Sequence, residues 1–374
     1  MIKNHTCFSL MRKLIIIQNC HTQSRVIKRT KELIDAGIDV EVYGFRWEGS
    51  IEPSLPYPIK VLGTFKEHSF VDRFRVLLKS MRIIKREHPR KENSLFYVFS
   101  LDLMMVFHFI YPSAEYIYEE SDLTHTYFGS KILRTFLEKL DKRLIRKSYK
   151  TVFTSEGFIR YHFGEETPNN AVLIPNKLDK KVLALSLPQQ RKTEANHLVL
   201  GFVGVPRFKA VRDFIKVFCA RFPQHEFHVF GGPIKQDIEA FEALQQYPNY
   251  HYHGAFKSPG DLPEIYGRLD AVLSTYDTEY INVRYAEPNK LYEAIYFETP
   301  IIASKGTFLA DKIMKMGVGF EVDTTKESDI ISFVNQLTVD AIEAKRSNCA
   351  NIPKKSAVND NTVFVKEVVN YLQS

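Results

Sequence analysis

Apolar residues fall at two spacings along this chain, and the spacings alternate. RKLIIIQN (12–19) is a short apolar run closed by amides. After the loop CHTQS, residues Val26, Ile27, Leu33 and Ile34 share one helical face, Gly37 stops it, and IDVEVYGF alternates as a half-buried strand. Strand, helix and strand in that order predict a β-α-β unit with a parallel crossover. Further strands are expected at SLFYVFS, EYIYEE, TVFTS and AVLIPN. Helices are expected where Phe70, Phe74, Leu77, Leu78, Met81 and Ile84, and later Leu133, Leu137, Leu140 and Leu144, recur at three- and four-residue spacing. Residues 1–185 therefore read as a doubly wound sheet domain. The polar stretch SLPQQRKTEAN (186–196) has no period and reads as a linker. The alternation then restarts over 197–356, with strands at HLVLGFVG, EFHVFGGP, YHYHGAF, DAVLSTYD and PIIAS and helices after PRFKAVRD, at DLPEIYGRL and at RYAEPNKLYE. In the tail, 357–374, Val363, Val365, Val368, Val369 and Leu372 predict a closing helix that packs back on the N-terminal domain. The fold class is α/β, with two Rossmann-like doubly wound domains facing across a cleft.

Composition agrees: 374 residues, 44% hydrophobic and 25% charged, suffice for two cores. Cys7, Cys20, Cys219 and Cys349 form no C-x-x-C pair, so neither disulfides nor a metal centre is expected, and a reducing cytoplasm fits. The run Leu14–Ile17 behind Arg12 and Lys13 is too short for a signal peptide, and Met11 is an alternative start that would leave 1–10 as a leader. The apolar stretch 95–118 is broken by Asp102, His108 and Pro112, so strand, helix and strand are expected rather than a membrane span.

The net charge of +7 is concentrated. Residues 66–91 hold nine Lys/Arg and 131–150 hold eight, and the rest of the chain is net acidic. Two basic amphipathic helices on one domain predict docking on an anionic membrane surface, peripheral on the inner face of the cytoplasmic membrane. Their basic residues lack the aromatic interleaving of a nucleic-acid platform, so no nucleic-acid partner is expected.

The chemistry sits in loops at predicted strand ends, where open α/β sheets bind ligands. GVPRFKAVR, GGPIK, GAFKSPG and RYAEPNK bring Gly204, Arg207, Lys209, Gly231, Gly232, Phe256 and Lys257 to one rim. In RYAEPNKLYE, Pro288 suits a first helical position, Asn289 lies one turn before Glu293, and Lys290 is beside it. Helix N-termini, glycine backbones and lysines together suit an anionic, sugar-bearing ligand.

These segments, in this order, resemble the C-terminal domain of GT-B glycosyltransferases. The likeness is to the large retaining group that builds bacterial capsule, O-antigen and exopolysaccharide. SRVIKRTKELIDAGIDVEVYGF, YIYEESDL and VLIPN extend it through the N-terminal half. The resemblance implies transfer of a hexose from a UDP- or GDP-sugar to a lipid-linked or growing saccharide, retaining and independent of metal or other cofactor. It assigns Arg207 and Lys209, with Arg212 as a spare, to the leaving diphosphate and Glu293 to both ribose hydroxyls. Asn289 and Lys290 go to phosphate or sugar, and Gly204, Gly231, Gly232, Phe256, Lys257, Pro288 and Leu291 line the donor site. On the acceptor side it points to His21, Arg25, Asp102 and Glu119, with Glu120 or Asp122 as a base if the reaction inverts. The sequence departs from the pattern at Tyr285, where relatives keep a first glutamate that Glu287 could replace, and at Glu298, where a helix-stopping glycine is usual. A sugar-nucleotide epimerase of the same fold, or a partner subunit with impaired chemistry, are the alternatives.

Overall fold

The computed structural model describes residues 12–19, 23–49, 54–66, 70–89, 94–232 and 237–374. His21, Cys7, Cys20, Met11 and the leader segment lie outside them. The chain divides into two compact units: one runs through Ile174 and takes back Asn361–Ser374, and the other is Pro175–Asp360.

The first unit alternates β1 (Lys13–Ile17), α1 (Ser24–Asp35), β2 (Val40–Trp47), β3 (Lys60–Phe65), α2 (Phe70–Glu87), β4 (Ser94–Phe99), α3 (Leu101–Ile110) and β5 (Tyr116–Glu120). α4 (Lys131–Lys147), β6 (Lys150–Phe153), α5 (Glu156–Phe163) and β7 (Ala171–Leu173) follow. Its seven strands are all parallel, in the order β3-β2-β1-β4-β5-β6-β7. Both faces of such a sheet are covered, and every residue of β4 and β5 is buried, as continuous apolar strands require. Residues 95–118 form the expected strand, helix and strand, and no helix among the described residues is long and apolar enough to cross a membrane.

The second unit has β8 (Val199–Val203), α6 (Lys209–Arg221), β9 (Glu226–Phe230), α7 (Ile238–Glu242), β10 (Tyr250–Gly254), α8 (Leu262–Gly267), β11 (Ala271–Ser274), α9 (Ile281–Tyr285) and α10 (Asn289–Tyr296). After these come β12 (Ile301–Ser304), α11 (Phe308–Met316), β13 (Gly319–Val322), α12 (Glu327–Gln336) and α13 (Val339–Asn351). Its six parallel strands run β10-β9-β8-β11-β12-β13. Leu198, Leu200 and Phe202 pack with α6 and α12 on one face, while Val199 and Val203 pack with α8, α10 and α11 on the other.

One boundary differs from the sequence reading. The stretch expected as a linker is fastened to the second unit: Gln190 donates to the Phe297 carbonyl at 2.6 Å, and Thr193 donates to the buried Asp270 at 2.9 Å. The same carboxylate accepts from the Val199 N–H at 2.8 Å and meets Arg191 at 3.2 Å. Polar composition hid a segment held by side-chain hydrogen bonds rather than by apolar periodicity. The closing helix, α14 (Thr362–Gln373), belongs to the first unit. Val368 and Leu372 enter its core as expected, with Val365 packed against it, whereas Val363 is exposed and Phe364 is buried in its place.

Helix α10 ends with Glu298 in the left-handed region at φ 56°. The turn glycine would make is therefore formed by a residue with a Cβ, and Lys354 holds the Glu298 carboxylate at 2.7 Å. A left-handed non-glycine residue costs roughly 1–2 kcal/mol, and a half-exposed ion pair returns less than that. Glu298→Gly is expected to raise the unfolding free energy by about 1 kcal/mol, measured by urea denaturation.

Candidate donor site

Strand order reverses between β8 and β11, so a ligand site is expected beyond the C-terminal ends of those strands. There β8 runs into Gly204 at φ 122° and β9 into Gly231 at φ 121°. A Cβ on Gly231 would stand 2.0 Å from the Gly204 carbonyl oxygen, so only glycine lets the two strand ends touch. The Gly204 N–H donates to Phe230 at 2.8 Å and the Gly231 N–H to Gly254 at 2.6 Å, which ties three strand ends into one bare backbone floor.

The lysine of PNK lies on this floor. Lys290 is 7% exposed, its Nζ is 4.3 Å from the Phe202 ring centroid and 3.4 Å from where a Gly204 Cβ would be. Among the described residues no carboxylate pairs with it. An ammonium held over a ring face and a glycine backbone is placed to receive an anion. Three residues on, Glu293 is 6% exposed and fixed from two sides. Tyr266 Oη donates to Oε2 at 2.6 Å and Asn289 Nδ2 to Oε1 at 2.7 Å. Burial, then the Glu293 charge, pushes the Tyr266 phenol well up, so it stays a donor. A carboxylate oxygen can accept more than one hydrogen bond, so this anchoring is compatible with a vicinal diol as a further donor.

Glu287 is placed differently from a sugar-contacting residue. Its side chain is buried, Lys312 pairs with it at 2.8 Å and Tyr292 donates to it. Lys177 is beside it, lowered first by burial and raised by Glu287, with its ammonium 5.6 Å from the Tyr292 ring. Lys177 is also raised by Asp360, so two lysines and two carboxylates meet here.

The phosphate role expected of α6 needs correction. Asp277, in the loop after β11, accepts from the Lys209 N–H at 3.0 Å and the Ala210 N–H at 2.7 Å. A carboxylate already fills the helix N-terminus that a phosphate would use. The Lys209 side chain turns along its own helix to Asp213, and Arg212 pairs with Asp237. Arg207 is exposed, with its guanidinium 5.1 Å from the Phe208 ring. The structure thus brings together Gly204, Gly231, Asn289, Lys290 and Glu293, and leaves Lys209 and Arg212 engaged elsewhere. Phe256 packs on the core beneath, the Lys257 N–H caps onto Asp261 at 2.7 Å, and Gly232 lies near Tyr252. Pro288 precedes the first turn of α10, Leu291 is fully buried, and the half-buried Tyr285 ends α9.

In the first unit the acids separate. Glu119 is fully buried among Arg29 at 3.4 Å, Arg25 at 3.8 Å and the Tyr97 hydroxyl. Despite burial, Glu119 holds the Arg29 guanidinium up. Glu120, also fully buried, meets His162 Nε2 at 2.7 Å, and Asp102 pairs with Arg73 at 2.5 Å and accepts from Ser100. Only Asp122 of this group is exposed. Glu119 and Glu120 are corrected from acceptor or base candidates to parts of the core, because water and substrate do not reach them.

Tyr266, Asp277, Lys177 and Lys312 were not singled out from sequence. Tyr266 could have been suspected, since a tyrosine in an apolar helical stripe needs a hydroxyl partner when buried.

Residues 197–340 match the family model described as glycosyl transferases group 1. The chain is 23% identical over 332 residues to the succinoglycan biosynthesis protein ExoL of Rhizobium meliloti, covering 84% of this chain and 81% of that one. Among solved structures, sucrose-phosphate synthase from Thermosynechococcus elongatus superposes with a TM-score of 0.68 at 15% identity, over 97% of this chain and 99% of that one. Anabaena Alr3699/HepE, solved in complex with UDP and glucose, gives 0.63 at 15% identity over 97% and 100%. The lipopolysaccharide glycosyltransferase WaaG gives 0.61 at 15% identity over 96% and 99%.

Proposed function

We propose that this chain, a GT-B glycosyltransferase whose donor half carries the group 1 domain, transfers a hexose from a UDP- or GDP-sugar to a lipid-linked or growing saccharide in bacterial surface polysaccharide synthesis. The observation that carries the reading is the buried Lys290 ammonium, set against glycine backbone and one turn from an anchored Glu293. When the bond from sugar C1 to the diphosphate breaks, negative charge grows on the departing phosphate. A fixed ammonium in a poorly solvated site stabilises that charge more than water does, and its orientation is already set. Lys290 supplies this charge, Arg207 reaches in from solvent, and Glu293 holds the ribose so that the phosphates fall over Gly204 and Gly231. With the cation built into the chain, we place the reaction among those that need no metal ion. We also place it among retaining transfers, the outcome that the resemblance to the retaining group implies.

The likeness to proteins named for succinoglycan and lipopolysaccharide synthesis supports the acceptor class. The experiment is to supply UDP- and GDP-hexoses with lipid-linked saccharide and follow nucleoside diphosphate release and acceptor mass together. Diphosphate release coupled to a one-hexose mass gain is expected; no transfer from any of these donors would count against the reading.

Such acceptors are membrane-bound, and the first unit carries features suited to a membrane surface. Ile132 is 85% and Phe136 62% exposed on α4, among Lys131, Arg134 and Lys139, and on α2 Lys79, Arg82, Lys85 and Arg86 line one shallow groove. Each basic residue near an anionic bilayer contributes about 1 kcal/mol. Replacing Lys131, Arg134 and Lys139 with glutamate is expected to reduce sedimentation with phosphatidylglycerol vesicles at least tenfold, with little effect on zwitterionic vesicles.

A further inference from the structure

We infer that Glu226, His228 and His251 form a binding site for a borderline divalent cation of the zinc type, which fastens edge strand β10 to β9. The inference is independent of the donor-site reading. Strand alternation puts Glu226 and His228 on one face of β9, and the parallel register sets His251 of β10 directly opposite His228. Glu226 Oε2 is 3.0 Å from His228 Nε2 and 3.6 Å from His251 Nε2. Ligands about 2.0–2.1 Å from a tetrahedral ion stand roughly 3.3–3.4 Å apart, and the two separations straddle that value. These two separations need to change by only a few tenths of an ångström, and all three donor atoms lie within 4.8 Å of one another.

The surroundings also fit. A ligating histidine usually donates its other ring N–H to a partner that fixes the ring, and His228 Nδ1 lies 2.9 Å from His253 Nε2. The second carboxylate oxygen is steadied in the same way, with Glu226 Oε1 3.1 Å from His197 Nε2. The three ligating residues are half-buried, and a shallow cavity lined by His197, Gln224, Glu226 and His251 opens beside them, which gives an ion and a completing water a way in. Two imidazoles with one carboxylate suit zinc, cobalt or nickel and are poor for magnesium or calcium, which prefer all-oxygen shells.

The site begins at Glu226, the first residue of β9, whereas the donor floor lies beyond the last residue of that strand. The cation is therefore structural. It bridges an edge strand that otherwise has one sheet neighbour.

The test uses tag-free full-length protein, stripped with chelator, dialysed and titrated with zinc chloride by calorimetry at pH 7.5. One zinc per chain with micromolar affinity or better is expected, with at least tenfold weaker binding in both His228→Ala and His251→Ala. His253→Ala is expected to weaken binding about tenfold through loss of ring positioning. Cobalt should give a visible d–d spectrum in the wild-type protein that Glu226→Gln alters, a readout on a variant that keeps the side-chain volume. No zinc binding by the wild-type chain, or affinity undiminished from wild type in His228→Ala and His251→Ala, would overturn the proposal. Zinc held instead by the buried Glu120, Asp141 and His162 would give that second result.

Discussion

Lys290→Met is expected to weaken nucleoside diphosphate binding roughly ten- to hundredfold while leaving the unfolding midpoint unchanged or raised. Hydrogen bonds to charged groups contribute about 1.5–3 kcal/mol, and the affinity loss follows from removing one such donor to phosphate. The stability half of the prediction has the opposite sign for a physical reason. In the free protein the Lys290 side chain is 7% exposed and stands against Phe202 with no carboxylate partner among the described residues. Methionine keeps the packing of the stem and removes the buried charge. A lysine held for the fold alone would show the reverse pattern, with lost stability and unchanged affinity. Calorimetric titration and thermal unfolding of the same variant separate the two.

His162→Ala is expected to destabilise the first unit by about 3–5 kcal/mol, the usual cost of removing one partner from a buried charge pair. The pair is part of a larger network. Tyr118 donates to Asp141 at 3.0 Å, and His125 Nδ1 lies 3.2 Å from Asp141. Burial pushes the Glu120 carboxyl up to about 7, with His162 opposing and Asp141 adding to the rise. For His162, burial alone would lower the imidazole, and the Glu120 carboxylate more than reverses it. Both shifts mean that the folded chain holds protons more tightly than the unfolded one. The share from Glu120 is full below its ordinary pKa of 4.5 and declines as pH rises through about 7. That from His162 is full below 6.5 and is lost as pH rises through its raised folded value. Thermal stability of the first unit is therefore expected to fall between pH 6 and pH 8, and His162→Gln should flatten that slope while costing less than alanine.

Much of the fold was readable because apolar spacing is a local signal. Leu137 and Leu144 mark the buried stripe of α4, although Leu133 before them is exposed, and the alternation of strands and helices dictates two parallel sheets. That Lys290 and Glu293 share one helix was readable for the same reason, since PNKLYE sets them three residues apart. What escaped depends on residues distant in sequence. Asp277 closes the N-terminus of α6 from a loop that follows three further strands, so the chain alone offers Lys209 a phosphate that the folded protein has already replaced. Glu120 and Glu119 looked like rim acids because they end a strand, but His162, Arg29 and Tyr97 arrive from other elements and bury them. The cation site depends on β9 and β10 being neighbours in one register, which no spacing within either strand specifies.

The central claim is that the floor at Gly204 and Gly231, with Lys290 and Glu293, binds the nucleoside diphosphate of a sugar donor. The most direct measurement is thermal unfolding of the wild-type chain and of Glu293→Ala with UDP, GDP, ADP and TDP, without added divalent metal. Ligand at about 100 times its dissociation constant stabilises by roughly 2.7 kcal/mol, a shift of several degrees. The account predicts that shift with at least one of the four in the wild-type chain and its loss in Glu293→Ala, whose own midpoint in the absence of ligand still reports a folded protein. No shift with any of them, or an equal shift in Glu293→Ala, would contradict it.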